Sequence, residues 1–157
     1  MLIGIDPGPR EFSWVLWDGS RVVACGDEPN YQPGAFLTRS VGYPVAVEWI
    51  ESFGMAVGRE VFETVFSIGR MAAMKNVRLV PRRDVKLHLC ASARAKDANI
   101  RQALIDRFGP VGTRKNPGPL FGISNHRWAA WAVAVTAFDV ATTEHEATFH
   151  LAEATVA

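Results

Sequence analysis

The chain has 157 residues, of which 48% are apolar, and a formal net charge of +1. This length and composition predict a single globular domain over residues 1–157 with a sizeable core. No run approaches the roughly 18 consecutive apolar residues of a membrane span, and the first residues lack the pattern of a signal peptide. Cys25 and Cys90 lie far apart without metal-ligand spacing. We therefore expect a reduced, cytoplasmic protein rather than a membrane-spanning or secreted one.

The charge is unevenly distributed along the chain. Residues 70–115 carry 12 Lys and Arg against 3 Asp, a local charge of +9 that leaves −8 on the remainder. A basic block of this length favours a polyanionic partner such as nucleic acid, although an ordinary solvated face is the alternative. Eight side chains of the block are candidate contacts to backbone phosphates, which would position DNA without reading its sequence. They are Arg82, Arg83, Lys86, Arg94, Lys96, Arg101, Arg114 and Lys115.

Five short apolar or alternating runs predict the strands. They are residues 1–5, 12–17, 21–26, 45–47 and 77–80. The Asp18-Gly19 pair between the second and third runs is a strong hairpin signal. Residues 27–44 contain three prolines and two glycines, which predicts a loop with a short helical turn near residues 35–39.

Helical spacing and capping signals predict three helices, at residues 57–74, 98–108 and 126–140. The apolar stripe predicted to face the core from the first helix is Val57, Val61, Phe62, Val65, Ile68, Met71 and Ala72. Asp97 is predicted to cap the second helix rather than to act as an additional acid of a site. The third helix, capped by Ser124 or Asn125, is apolar nearly all round and is expected to be buried. Residues 139–157 then form an acidic tail or a helix extension, and residues 82–92 are ambiguous between helix and loop.

Three strands followed by alternating strands and helices predict an α/β fold, a mixed sheet covered by helices. The antiparallel opening disfavours a doubly wound dinucleotide-binding order. The sequence contains neither G-x-G-x-x-G nor G-x-x-x-x-G-K-[ST], the two common glycine-rich phosphate loops.

Two carboxylates occupy matching places in this pattern. Asp6 and Glu48 each end an apolar strand. If those strands are parallel neighbours, both carboxylates emerge at the same end of the sheet, where ligands of open α/β sheets commonly bind. Adjacent carboxylates repel unless a cation lies between them, and Mg²⁺ suits such a pair. The alternatives are that Asp6 is a turn residue before Pro-Gly and that Glu48 is a solvated strand end.

These segments resemble the RuvC-like Holliday-junction resolvases, and more narrowly their compact phage-encoded branch. The resemblance starts at residues 4–8, Gly-Ile-Asp-Pro-Gly, continues with Ala-Val-Glu at 46–48, and ends with the Ala-rich helix from His126. Further stretches of it are residues 57–63, 85–90 and 95–104. In combination and in this order the segments cover most of the chain, from residue 1 to about residue 138.

The resemblance implies a ribonuclease H-like fold, a mixed five-stranded sheet flanked by helices. It also implies a crossover junction endodeoxyribonuclease that nicks branched DNA with divalent metal, as a homodimer, in the cytoplasm of a bacterium or a phage-infected host. Asp6, Glu48 and His126 would be its catalytic residues and metal ligands, with Mg²⁺ as cofactor and Mn²⁺ as a possible substitute because imidazole is a poor Mg²⁺ ligand. His126 would bind metal, or orient or deprotonate the attacking water. Ala129 departs from the family, which has an acid at this position.

In the resembled family, the loop after the fourth strand approaches the junction centre. Phe53 or Met55 is therefore expected to wedge against unstacked bases, with packing beneath the loop as the alternative. Two other functions compete with the nuclease. One is a junction-binding module that has lost catalysis, and the other is a phosphotransferase of the actin or sugar-kinase type, for which the chain is too short to hold both required domains.

Overall fold

The computed structural model describes residues 1–51, 54 and 56–154, and it describes side chains as far as residue 143. The strands are β1 (Leu2–Pro7), β2 (Glu11–Trp17), β3 (Val22–Pro29), β4 (Val45–Trp49) and β5 (Val77–Pro81). The helices are α1 (Pro33–Arg39), α2 (Arg59–Met74), α3 (Arg82–Cys90), α4 (Asp97–Phe108) and α5 (Arg127–Ala154). No helix in the described part of the chain combines the length and hydrophobicity needed to cross a membrane.

The strands form one mixed sheet in the order β3-β2-β1-β4-β5. β1, β2 and β3 pair antiparallel, and the carboxylate of Asp18 stabilises the turn between β2 and β3 by accepting hydrogen bonds from the backbone N–H groups of Ser20 and Arg21. β4 pairs parallel with both β1 and β5. The predicted mixed sheet with an antiparallel opening is therefore confirmed.

The sheet separates two apolar cores. One face packs against α3, α4 and α5 around Trp17, Leu104 and Trp131. The other face packs against α1 and α2 around Ile5 and Met71. Because both faces of β1 are covered, its run of apolar residues is continuous rather than alternating.

Gly4 allows α5 to lie directly on β1. A Cβ atom built at Gly4 would lie 2.2 Å from the backbone oxygen of Ala130 and 2.7 Å from the Cβ of Ala134. Real Cβ atoms do not approach that closely, so this contact requires glycine on the strand and small residues on the helix. The close approach fixes the position of α5 along β1.

The structure corrects the predicted core stripe of α2. Of the predicted stripe, Phe62 has 65% of its surface exposed, and Val57 and Ala72 are also exposed. Phe66, which lies outside the predicted stripe, is 70% exposed. The buried face contains Thr64, Ser67, Ile68 and Met71. Thr64 can be buried because its hydroxyl donates to the backbone oxygen of Glu60, and a pattern that counts only apolar residues does not detect such a face.

For three other elements the structure corrects a predicted boundary or decides between two predicted conformations. Residues 82–92, left open between helix and loop, contain α3. β3 continues to Pro29, beyond the predicted end at residue 26. α5 continues to Ala154, so the acidic residues after Asp139 extend this helix.

Candidate metal centre

The paired strands β1 and β4 place Asp6 beside Glu48. Ile5 is in register with Val47, so the next residue on each parallel strand lies at the same edge of the sheet. Side chains alternate along a strand, and Asp6 shares a face with Gly4, the residue that contacts α5. Glu48 is only 9% exposed and shares a hydrogen bond with Asp6. The predicted convergence of the two strand-end carboxylates is therefore present.

The contact of Gly4 with α5 also accounts for the place of His126. From Gly4 to Asp6 the strand advances about 6.6 Å, and from Ala130 back to His126 the helix advances about 6 Å. His126 consequently reaches Asp6, with its Nδ1 3.1 Å from Oδ2 of the carboxylate. The imidazole is 80% exposed, so it lies at the mouth of the site rather than inside it.

An ion pair on the neighbouring residue helps to fix this end of α5. Arg127 donates through Nη2 to Oδ2 of Asp27 on β3 at 2.7 Å, and Ser13 donates to Oδ1 of the same carboxylate at 2.6 Å. Ser13 is in register with Asp6 across β1 and β2. The chain Ser13, Asp27 and Arg127 thus connects the strand beside Asp6 to the residue beside His126.

The carboxylate pair carries more negative charge than its surroundings compensate. Burial raises the pKa of Asp6, opposed by its hydrogen bond with Glu48 and by His126. Burial also raises the pKa of Glu48 to about 8, opposed by Arg82 and reinforced by the charge of Asp6. Without a further cation, these raised pKa values favour a protonated Glu48 that donates a hydrogen bond to Asp6.

These residues fit a divalent cation bound partly by protein and partly by solvent or substrate. Two buried carboxylates supply hard oxygen donors, and His126 adds a nitrogen at the mouth. Among the described residues, no three or more His, Cys, Asp and Glu side chains form a closed metal cage. Mg²⁺ sites in proteins commonly have no such cage, because the ion is bound through one or two carboxylates, waters and substrate phosphates.

Arg82 and Asp97 extend the centre beyond the three predicted residues. Nε of Arg82 lies 3.2 Å from Oε1 of Glu48, and Nη2 donates to Oδ1 of Asp97. The prediction that Asp97 caps α4 is wrong. The capping position is Lys96, whose backbone N–H donates to the side chain of Asn99, and Asp97 is instead the first helical residue, with its carboxylate directed to Arg82.

Two clefts adjoin His126. The larger has a volume of about 690 Å³ and is lined by Asp6, Arg10 and Glu60 in addition to His126. The second has a volume of about 470 Å³, and its lining includes Arg82, Asp97, Arg101 and Ala129. Asp6 therefore faces the larger cleft, whereas the second cleft is bounded by the guanidinium groups of Arg82 and Arg101.

The other predicted DNA contacts lie at different distances from this centre. Arg101 lines the second cleft and stacks on Trp128, with its guanidinium carbon 4.8 Å from the ring centre. Arg82, Arg83 and Lys86 line a third cleft of about 500 Å³. The remaining basic side chains are exposed, and no described contact joins them to the site: Arg94, Lys96, Arg114 and Lys115. Phe53 and Met55 lie outside the described residues.

Sequence reasoning did not find the inward role of Arg82. Its signal was available, because Arg82 directly follows Pro81, the last residue of β5, and β5 is the neighbour of β4. A third strand end beside Asp6 and Glu48 would have suggested a residue directed at the same site. The roles of Asp27 and Arg127 had no comparable signal, because they depend on where β3 and α5 meet.

The fold is shared with RuvC of Thermus thermophilus. A structure of that protein matches with a TM-score of 0.59 and 18% sequence identity, over 90% of this chain and 96% of RuvC. A structure of T. thermophilus RuvC in complex with a Holliday junction substrate matches with a TM-score of 0.57 and 21% identity, over 87% of this chain and 92% of that one. Neither a protein-family model nor a curated protein matches. The chain therefore has the ribonuclease H-like fold of RuvC, a mixed five-stranded sheet flanked by helices.

Proposed function

We propose that this protein is a metal-dependent, structure-selective endonuclease that cleaves Holliday junctions or other branched DNA. The observation that carries the proposal is the buried Asp6–Glu48 pair with His126 in contact, at one edge of a RuvC-like sheet. The RuvC structure solved with a Holliday junction supports branched DNA as the substrate class. Such an activity would serve DNA recombination and repair in the cytoplasm, and the sequence resemblance favours the phage-encoded branch.

Asp6, Glu48 and His126 would bind two divalent ions, Mg²⁺ or Mn²⁺. Bound ions would supply activation of water and stabilisation of the leaving oxygen in phosphodiester hydrolysis. Asp6, which contacts both of the other side chains, would provide oxygen ligands to the ions. His126, exposed at the mouth of the larger cleft, would bind metal, or orient or deprotonate the attacking water.

The basic residues around the second and third clefts would bind the sugar-phosphate backbone. Arg101 lines a cleft with His126, and Arg83 and Lys86 line a cleft with Arg82; their contacts would position a strand without reading its bases. Arg94, Lys96, Arg114 and Lys115 would extend the contact to more distant phosphates. Phe53 would enter the junction centre from the loop after β4.

The exposed face of α2 supports assembly as a homodimer. Phe62, Phe66, Gly69 and Ala73 follow helical spacing and are all exposed. Two aromatic side chains followed by two small residues form a face on which a second copy of α2 could pack closely. Phe66→Glu is expected to convert a dimer to a monomer in sedimentation equilibrium, whereas an unchanged mass would reject this face.

A second function is favoured by Ala129. This residue lines the second cleft beside His126, where the resembled family has an acid, so the centre has one carboxylate fewer. The chain would then bind branched DNA without cutting it. Junction binding with no cleavage in either Mg²⁺ or Mn²⁺ would select this function over the nuclease.

The decisive experiment compares synthetic four-way, three-way and linear duplex DNA as substrates. Asp6→Asn is expected to abolish cleavage of the four-way junction and to leave binding intact, because it removes a ligand but no basic residue. Asp139→Asn is the matched control, since this carboxylate also contacts a histidine and an arginine but lies elsewhere. Full nicking by purified Asp6→Asn protein would refute the proposed role.

A further inference from the structure

The guanidinium group of Arg82 lies between two carboxylates from different elements. Its Nε and Nη1 face the two oxygens of Glu48, at 3.2 and 3.4 Å, and its Nη2 donates to Asp97. Arg82 is the first residue of α3, Glu48 is the second-last residue of β4, and Asp97 is the first residue of α4. Three separate segments thus bring the guanidinium of Arg82 into contact with Glu48 on one side and with Asp97 on the other.

The position of Asp97 has no other explanation among the described contacts. Its side chain is 83% exposed and makes no capping hydrogen bond to α4. It nevertheless pairs with Arg82 and lines the same cleft as His126 and Ala129. Ala129 of α5 cannot supply a carboxylate to this cleft. Among the described residues that line the cleft, the acid is Asp97 of α4.

Arg82 and a divalent ion would compete for Glu48. An ion bound by Asp6 and Glu48 would have the same sign of charge as the guanidinium that already contacts Glu48, so the two cations would repel each other. Arg82 is largely enclosed, so it also requires a carboxylate partner when Glu48 binds something else. Asp97 provides that partner at the solvent side.

We propose that Arg82 is the resident counter-cation of Glu48, that it competes with a divalent ion for this carboxylate, and that Asp97 is a positioning residue that draws Arg82 away. The inference rests on the proposed function in one respect, the binding of an ion at Asp6 and Glu48. It adds that cation affinity is set by a pair of residues, Arg82 and Asp97, that need not contact the ion.

The test is the affinity of the full-length protein for Mn²⁺, measured without DNA by electron paramagnetic resonance of the free ion. Arg82→Gln is expected to bind Mn²⁺ at least about 10-fold more tightly, because the competing charge is removed. Asp97→Asn is expected to bind several-fold more weakly, because Arg82 then pairs with Glu48 alone. In the double variant, adding Asp97→Asn to Arg82→Gln is expected to change the affinity by less than about 2-fold, since Asp97 acts through Arg82.

Two variants control for loss of charge and loss of an ion pair. Arg107→Gln removes a guanidinium that contacts both oxygens of Asp139, and Asp106→Asn removes a carboxylate from the same helix as Asp97. Both are expected to leave Mn²⁺ affinity unchanged. Arg82→Lys keeps the charge but loses the planar fork, and its affinity should lie between those of the wild type and Arg82→Gln, even if the glutamine variant folds poorly.

The outcomes separate this inference from the proposed function. Equal or weaker Mn²⁺ binding by both Arg82 variants, at a site that Asp6→Asn removes, would overturn the competition while leaving the metal centre in place. If Asp97→Asn weakened Mn²⁺ binding equally in the wild type and in Arg82→Gln, Asp97 would be a direct ligand and its positioning role would be overturned. Absence of Mn²⁺ binding in every variant would overturn both proposals.

Discussion

Two carboxylate clusters of similar composition lie in different parts of this molecule. At one edge of the sheet, Asp6 and Glu48 contact His126 and Arg82. On the outer side of α5, Asp139 contacts His88 and Arg107, with its Oδ2 2.7 Å from Nε2 of the histidine. Each cluster contains a histidine and an arginine, but the first contains two acids in contact, of which Glu48 is buried, and the second contains one half-buried acid.

This difference reverses the direction of the pKa shifts. At Asp139, the hydrogen bonds from Arg107 and His88 outweigh the opposing effect of burial and lower the pKa. At Asp6 and Glu48, burial outweighs every partner and raises both pKa values. The Asp139 cluster is therefore compensated internally and acts as a structural contact. The Asp6 cluster has an excess of negative charge that an external cation would relieve.

The largest expected effect is the opposite pH dependence of the two clusters in metal-free protein. A raised carboxyl pKa stabilises the fold while the group is protonated. For Glu48 this stabilisation is present below about pH 4.5 and is lost as the pH rises towards about 8, by on the order of 5 kcal/mol. For Asp139 the lowered pKa gives stabilisation that is present above its ordinary value of 3.8 and is lost as pH falls below it.

Urea unfolding in EDTA across a pH series checks this contrast. Glu48→Gln should flatten the loss of stability between about pH 4.5 and 8. Asp139→Asn should leave that range unchanged and alter the profile only below the ordinary pKa of 3.8. Identical pH profiles for the wild type and Glu48→Gln would show that the pair is not strained by its own charge.

A smaller effect is expected from neutralising one acid in each cluster. The change in the free energy of unfolding should have opposite signs in the Asp6 cluster and the Asp139 cluster. Without metal at about pH 8, Asp6→Asn should stabilise the fold by about 1 kcal/mol because it relieves repulsion from Glu48. Asp139→Asn should destabilise it by about 1 kcal/mol because Arg107 and His88 lose a charged partner; this figure allows for their partial exposure. If Asp6→Asn and Asp139→Asn shifted the free energy of unfolding in the same direction, the two clusters would not differ in charge compensation.

The sequence predicted the part of the site that depends on strand order. Asp6 and Glu48 needed only one inference, that two apolar strands ending in acids are parallel neighbours, because both carboxylates then emerge at the same end of the sheet. His126 came from resemblance, and its physical explanation required the contact between Gly4 and Ala130, which no local pattern reveals.

The errors have equally specific causes. The apolar pattern placed Phe62 in the core because Thr64 and Ser67, which occupy the buried face of α2, count as polar in any hydropathy pattern. Asp97 was assigned as a cap because aspartate before a helix usually is one, but the side chain of Arg82 competes for the same carboxylate and forms the stronger, charged hydrogen bond. His88 had no partner in the sequence because Asp139 lies 51 residues away.

The central claim is that Asp6 and Glu48 bind a divalent cation that the Asp139 cluster does not. Calorimetric titration of Mn²⁺ into the wild type, Glu48→Gln and Asp139→Asn, each at about pH 7.5 and without DNA, tests it most directly. The account predicts binding with proton release in the wild type and in Asp139→Asn, and loss of that binding in Glu48→Gln. Equal Mn²⁺ affinity and equal proton release in all three proteins would contradict it.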